Sequence, residues 1–246
     1  MKNIIKNIIY FILSLFNYYG AVILLYHSVG ENSELPTIKP DDFEKQLKYL
    51  SKNKFNVIKL TELGELIINH KRIPPKTVCL TFDDGYRDNF LKVFPALKKY
   101  NFPATIFMST ALIGHERISE KGERFEYLSE REIKEMSDSQ LVDFGSHCHN
   151  HVKLTGIGAA EAASEFKMSK EILEKISGRE VETMSYPRGR FNDEIEAVAK
   201  GIFKIICTVR SGRVTENDKS WRLFRNSINR EVSFTQFKGI IKFGRI

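Results

Sequence analysis

The stretch TVCLTFDDG, at positions 77–85, is an apolar run that ends in two aspartates and a glycine. A short run of mainly apolar and β-branched residues, bounded by turn residues, is typical of a strand that is buried on both faces. Gly85 permits a tight turn directly after the strand. The stretch therefore predicts a buried strand whose carboxyl end presents Asp83 and Asp84.

On both sides of this strand, strand-like and helix-like segments alternate along the chain. Repeated strand-helix units predict a parallel sheet covered by helices, and seven or eight of them can close into a barrel. The segment 111–128 carries charges and two glycines and is predicted as a long loop. The other predicted strands are 21–27, 55–60, 103–109, 141–146, 182–186, 203–209 and 221–228. The predicted helices are 40–53, 62–70, 88–100, 129–137, 159–177, one from Asn192 and one near 233–240.

Length and composition are those of one globular domain with a short N-terminal appendage. The chain has 246 residues, of which 42% are hydrophobic and 28% charged, which excludes a disordered or multi-span chain. We assign residues 21–246 to a single barrel and residues 1–20 to the appendage. The apolar segment 1–19 carries a thin polar stripe at helical spacing, typical of an amphipathic helix at a membrane interface. A signal anchor, an export signal and a buried helix are the alternatives.

The formal charge of +7 favours an anionic partner such as a phospholipid surface, although a solvated basic surface explains it equally well. Basic runs interleaved with aromatics are absent from the sequence, so nucleic acid is not an expected partner. Three cysteines at scattered spacings form neither a disulfide framework nor a zinc-knuckle pattern. Together with the N-terminal helix, the charge predicts a protein associated with a membrane.

Adjacent carboxylates on an extended backbone point in different directions, so one of Asp83 and Asp84 can bind a metal while the other faces a substrate. A turn in which one of them caps the next helix is the alternative. The sequence HCHNH at 147–151 makes the metal site the stronger interpretation. His147 and His151, four residues apart, can converge on one ion if the turn is helical, whereas His149 points elsewhere. Two imidazoles and one carboxylate form a catalytic zinc set.

These motifs resemble those of the polysaccharide deacetylases of carbohydrate esterase family 4, also called the NodB-homology family. The resemblance rests on TFDDG (81–85), on His147 and His151 followed by Leu154, and on the Pro-x-Gly element of Pro187, Arg188 and Gly189, and it covers residues 76–210. It implies an α/β fold, a distorted (β/α) barrel. It implies the following roles: Asp83 as general base, Asp84, His147 and His151 as metal ligands, and the backbone N–H of Arg188 in the oxyanion site, with Tyr186 and Pro187 in the same substrate-binding element.

The chain departs from the family pattern at two positions. Ser185 stands where the family usually has an arginine that tethers the base, and no histidine follows His151 to act as the acid. Leu25-Tyr26-His27 is similar to the Leu-x-His motif of the circularly permuted branch, which includes the poly-N-acetylglucosamine deacetylases. The resemblance therefore assigns the acid role to His27, with a core histidine as the alternative. Arg225 is the candidate tether, and Arg222 is its competitor.

The implied function is metal-dependent hydrolysis of the N-acetyl group of an N-acetylhexosamine, in a surface polysaccharide or a lipid-linked glycan. Zinc suits two histidines and one aspartate best, and cobalt, nickel or iron also fit. Tyr26, Tyr86 and Phe191 are candidates for an apolar wall beside a sugar. An amidase acting on a non-sugar C–N bond and a catalytically silent carbohydrate-binding barrel are the alternatives.

Overall fold

The computed structural model describes residues 19–244, in which strands and helices alternate as the sequence predicts. Most predicted elements are present within a few residues of their predicted bounds. The strands are β1 (Ala21–Tyr26), β2 (Ser28–Val29), β3 (Thr37–Ile38), β4 (Asn56–Val57), β5 (Thr77–Phe82), β6 (Ala104–Met108), β7 (Glu116–Ile118), β8 (Arg124–Glu126), β9 (Val142–Ser146), β10 (Thr183–Ser185), β11 (Ile205–Cys207) and β12 (Asn226–Ser227). The α-helices are α1 (Pro40–Lys52), α2 (Leu60–Ile68), α3 (Phe94–Tyr100), α4 (Glu130–Asp138), α5 (Ala159–Ser177), α6 (Asp193–Lys200) and α7 (Phe234–Phe243).

One parallel sheet organises the molecule. Its strand order is β11-β10-β9-β6-β5-β1-β12, and β4 pairs with the first two residues of β5. The segment before β12 reaches across to the opposite edge, where the backbone N–H of Leu223 donates to the carbonyl of Ile206 over 3.0 Å. β12 itself pairs with β1, with Asn226 opposite Leu24. The sheet therefore closes on itself, and the predicted distorted (β/α) barrel is confirmed.

Two apolar layers hold the barrel. The outer layer lies between the sheet and the surrounding helices, and includes Phe166 of α5 and Phe237 of α7. The inner layer fills the barrel and extends to α2, which packs at the amino ends of the strands. At that contact Gly64 lies so close to Ile205 that a Cβ on Gly64 would be 2.0 Å from the Ile205 Cδ1. Since the amino end is filled by α2, the carboxyl end is the open face of the barrel.

Local sequence signals explain where several helices begin and end. Ser129 and Glu132 form the predicted capping box at α4, and the side chain of Asn192 accepts a hydrogen bond from the backbone of Ile195 at the start of α6. α5 runs over 159–177, as predicted, and ends at Gly178 in the left-handed region. Pro95 stands at the start of α3, and a π-helical turn over Asn89–Val93 precedes it.

Three predicted elements differ from the structure. The predicted loop 111–128 contains an antiparallel hairpin, β7 and β8. Its charged residues and glycines are typical of a loop, so the sequence did not indicate the two strands. The predicted strand 55–60 is reduced to β4, because α2 begins at Leu60. The predicted strand 221–228 is regular only over β12, because the residues before it cross from one sheet edge to the other.

The predicted N-terminal amphipathic helix lies almost entirely outside the described residues, since residues 1–18 and 245–246 are not described. Within residues 19–244, no helix is long and apolar enough to cross a membrane. Membrane association through residues 1–20 stays a prediction from the sequence.

Candidate functional site

The carboxyl ends of four parallel strands carry most of the polar residues of the site. His27 follows β1, Asp83 and Asp84 follow β5, and His147 follows β9. Ser185 ends β10, and Arg225 enters from the segment that closes the barrel. Since the carboxyl ends of parallel strands meet at one end of a barrel, residues that are far apart in sequence come together there.

Asp84, His147 and His151 form the predicted metal-binding group. Their ligand atoms all lie within 4.8 Å of one another. The Nε2 atoms of His147 and His151 are 3.5 and 3.4 Å from the Asp84 Oδ1. Ligand atoms about 2.0–2.1 Å from a tetrahedral zinc ion are separated by roughly 3.3 Å, so the observed spacing fits one ion between the three side chains.

The turn that brings the two histidines together is not helical, so the helical spacing considered for the sequence is not what makes them converge. Cys148 and His151 both have positive φ angles, 65° and 53°, and Asp84 has a φ of 74°. Non-glycine residues with positive φ angles are uncommon and concentrate at functional sites. His149 turns away, as predicted, and its Nδ1 lies 2.8 Å from the Thr110 hydroxyl.

His147 is held in the neutral tautomer whose Nε2 can bind a metal. Its Nδ1 is 2.8 Å from the carbonyl oxygen of Ser185, and a carbonyl can only accept, so the proton is on Nδ1 and the lone pair of Nε2 faces Asp84. Burial lowers the pKa of His147, which favours the neutral imidazole. For Asp84, burial acts to raise the pKa, but the hydrogen bond from His151 and the electrostatic effect of the neighbouring histidines hold it well below its usual range. A neutral imidazole beside an ionised carboxylate is the donor set that a divalent metal takes.

Asp83 forms a buried ion pair with Arg225 rather than joining the metal-binding group. Arg225 Nη1 donates to Asp83 Oδ1 over 2.6 Å and Nη2 to Oδ2 over 2.8 Å, while Nε donates to the Thr208 carbonyl. Arg225 is 0% exposed and Asp83 2%. Burial acts to raise the pKa of Asp83, but the guanidinium and the nearby histidines together outweigh burial, and the pKa lies below its ordinary value. Asp83 is therefore ionised at neutral pH, the form that accepts a proton.

Of the two arginines considered for this position, Arg225 reaches Asp83 and Arg222 does not. Arg222 instead binds Glu196 of α6 through Nε and Nη2. Ser185, which stands where the family usually has the arginine, also contacts Asp83. Its hydroxyl lies 3.3 Å from Asp83 Oδ1 and 2.7 Å from His147 Nδ1, so it connects the candidate base to a candidate ligand. The sequence marked Ser185 only as a departure from the family, and no signal in it indicated this bridge.

His27 lies at the rim of the site, and its backbone is fixed from two sides. The Asn89 side chain donates to the His27 carbonyl over 3.0 Å, and the next residue, Ser28, donates to Asp88 over 2.5 Å. The backbone N–H of Asp83 donates to the carbonyl of Tyr26, which joins the two strand ends. His27 Nδ1 is buried and has no hydrogen-bond partner among the described residues, in contrast to the hydrogen-bonded ring of the core-histidine alternative.

The Pro-x-Gly element forms a tight turn at the end of β10. The side chains of Tyr186 and Pro187 are buried, and Tyr186 stacks on Phe191 with ring centroids 4.2 Å apart. Those two side chains therefore shape the turn and are closed to direct contact with a substrate. Arg188, exposed and with a φ of 57°, is the residue that the turn presents.

The three candidate wall aromatics have different environments. Tyr26 is 0% exposed and packs in the outer layer, where its hydroxyl donates to Gln46, so it is not part of a wall. Tyr86 stacks on Tyr127, with ring centroids 5.2 Å apart. Burial raises the pKa of Tyr86, and the neighbouring Asp84 adds to this effect. The stacked pair lies beside the metal-binding group, and Tyr127 directly follows the hairpin that the sequence did not predict.

Comparison with known proteins identifies the family of the chain. The family model described as polysaccharide deacetylase matches residues 70–202. Bacillus subtilis YxkH, whose name assigns it to the polysaccharide deacetylases, is 30% identical over 221 residues, which cover 89% of this chain and 75% of YxkH. The poly-beta-1,6-N-acetyl-D-glucosamine N-deacetylase of Staphylococcus epidermidis is 27% identical over 214 residues, which cover 82% of this chain and 71% of that protein.

Solved structures share the fold over most of the chain. The deacetylase PplD of Streptococcus pyogenes, determined in complex with acetate, superposes with a TM-score of 0.79 at 26% identity and covers 90% of this chain and 98% of PplD. IcaB of Ammonifex degensii superposes with a TM-score of 0.81 at 22% identity, over 93% of this chain and 98% of IcaB. The second likeness supports the fold alone.

Proposed function

Because this chain belongs to the polysaccharide deacetylase family, we propose that it hydrolyses the N-acetyl group of an N-acetylhexosamine in a surface polysaccharide or a lipid-linked glycan. Family membership makes the chain a hydrolase of the polysaccharide N-deacetylase class. The observation that carries the proposal is the group of Asp84, His147 and His151 next to the buried pair of Asp83 and Arg225. Membrane association remains a prediction from the sequence.

The metal that we propose for this group is zinc, because two imidazoles and one carboxylate leave a coordination position open in its preferred geometry. Cobalt, nickel and iron accept the same donors. When bound, such an ion would polarise the acetamide carbonyl and lower the pKa of a water molecule.

The residues of the chain supply the proton transfers. Asp83, ionised and fixed by two hydrogen bonds from Arg225, takes a proton from the attacking water as the water oxygen bonds to the acetamide carbon. The backbone N–H of Arg188 donates to the oxyanion. His27 gives a proton to the sugar nitrogen as the C–N bond breaks, so that acetate and a free amine leave.

Acetate release by the purified protein tests the proposal. We expect one divalent ion per chain and release of acetate from N-acetylglucosamine oligomers, with activity lost on chelation and restored by zinc. Simple non-sugar acetamides serve as controls. Hydrolysis of those amides but not of the sugar oligomers would support the amidase alternative, and a metal-loaded protein that hydrolyses neither would contradict the proposal.

His27→Ala should lower kcat by about 10²–10⁴-fold, the usual range for loss of a general acid, while the metal stays bound. His70→Ala is the matched control, because His70 is exposed and precedes β5, at the opposite end of the barrel. Metal content by elemental analysis and kcat for acetate release check both variants. Full turnover in His27→Ala would remove His27 from the mechanism.

A further inference from the structure

A cavity of about 460 Å³ lies beside the Pro-x-Gly turn. Three segments that follow strand ends form it: Thr155 after His151, residues 189–193 after β10, and Thr208 with Arg210 after β11, with Arg222 completing the wall. We call it the arginine cavity. Its volume is within the range of small-molecule sites, about 300–1,000 Å³.

The arginine cavity is joined to the candidate active site by shared residues. The carbonyl of Thr208 accepts the hydrogen bond from Arg225 Nε, and Arg225 holds Asp83. Gly189 packs against Val209, so closely that a Cβ on Gly189 would be 2.2 Å from a Val209 methyl carbon. The turn that carries Arg188 and the segment that carries Arg210 therefore form one packed unit, which places the arginine cavity next to the Pro-x-Gly turn of the candidate active site.

The charge of the arginine cavity is positive and incompletely compensated. Arg222 is neutralised by Glu196 and lies 3.6 Å from Asp193, an exposed lining residue. Arg190 and Arg210 also line the cavity, and within residues 19–244 neither forms an ion pair. Arginine is suited to oxyanions, because its planar guanidinium donates two parallel hydrogen bonds to a carboxylate or phosphate.

An apolar surface lines the same cavity as Arg190 and Arg210. Phe191 lines the arginine cavity, is partly exposed and is supported from behind by its stack on buried Tyr186. A fixed aromatic ring next to charged donors offers a sugar both a flat apolar contact and a partner for an acidic substituent.

We infer that the arginine cavity binds an anionic group, a phosphate or a carboxylate, on the same glycan whose N-acetyl group is hydrolysed. Arg190 and Arg210 supply the charge and Phe191 the sugar contact. The inference rests on the proposed function and narrows its substrate class from N-acetylated glycans in general to acidic ones.

Three trisaccharides of N-acetylglucosamine test the inference: the neutral trimer, a trimer with a terminal phosphate, and a trimer with one C6 oxidised to a carboxylate. The metal-loaded wild type should show a KM about tenfold lower for a charged trimer than for the neutral one, with a similar kcat. Arg190→Gln combined with Arg210→Gln should abolish that preference and leave the neutral trimer unaffected. Arg72→Gln, an exposed arginine at the amino end of the barrel, controls for net charge and should retain the preference.

The two charged probes distinguish phosphate from carboxylate, and a preference for either supports the inference. Equal kcat/KM for all three trimers in the wild type overturns it, as does a preference that survives in the double variant. Calorimetry with the same trimers separates the two proposals. Tighter, arginine-dependent binding of a charged trimer without acetate release from any of them would retain the anion site and overturn the deacetylase function.

Discussion

Arg225→Met is expected to lower the free energy of unfolding by about 3–5 kcal/mol, the usual cost of leaving one member of a buried ion pair without its partner. The variant keeps most of the side-chain volume, but it leaves the Asp83 carboxylate 2% exposed without either guanidinium hydrogen bond. Acetate release should fall as well, because the carboxylate then keeps only its longer contact with the Ser185 hydroxyl and its orientation is less well fixed. Urea denaturation followed by circular dichroism, together with turnover measurements, checks both effects.

Two further variants test whether the unpaired buried charge causes the loss of stability. Asp83→Asn combined with Arg225→Met removes the unpaired charge and should recover part of the lost stability but none of the activity. Arg222→Met breaks a pair in which the arginine side chain is 40% exposed, so we expect a loss of about 1 kcal/mol or less. An Arg225→Met variant no less stable than Arg222→Met would show that the buried pair does not have the energetic role described.

His147→Ala and Asp84→Ala should each remove the bound metal and lower kcat by on the order of a thousandfold, since loss of the metal costs several kcal/mol of transition-state stabilisation. Each change deletes one of three side chains whose ligand atoms lie within 4.8 Å of one another. Elemental analysis of the purified variants and acetate release measure the two effects.

His149→Ala is the matched control for the metal-binding group. It lies between the two candidate histidine ligands in sequence, but its ring contacts Thr110. We expect this variant to keep its metal and most of its activity. Loss of metal from His149→Ala, or retention of metal and turnover by both ligand variants, would show that the ion is bound elsewhere.

The sequence predicted those parts of the site that lie in contiguous motifs. TFDDG and HCHNH each place their side chains directly after a buried strand, and the carboxyl ends of parallel strands meet, so proximity follows from the topology. His27 also follows a strand, but its role was assigned through the resemblance to the circularly permuted branch. The resemblance to a family added the order of the motifs around the barrel.

Other features depend on contacts between distant segments, which no local pattern encodes. The choice of Arg225 over Arg222 depends on how the last segment crosses between the sheet edges. The positive φ angles of Cys148 and His151 are set by packing, since neither residue type by itself predicts a positive φ. The contact of Ser185 with both the candidate base and a candidate ligand depends on the spacing of three strand ends. The two arginines of the cavity that form no ion pair within residues 19–244 can be identified only after the ion pairs of the neighbouring side chains are known.

The closure of the barrel by its last strand has a consequence for biosynthesis. Asp83 and Arg225 are 142 residues apart, so a chain growing on the ribosome carries the carboxylate long before its partner is made. Until β12 pairs with β1, the barrel is an open sheet with an exposed edge, and such long-range pairing is the slow part of folding. The general base is therefore held in position only after the barrel has closed. Each newly synthesised chain accordingly becomes able to catalyse the reaction at a late stage of its folding.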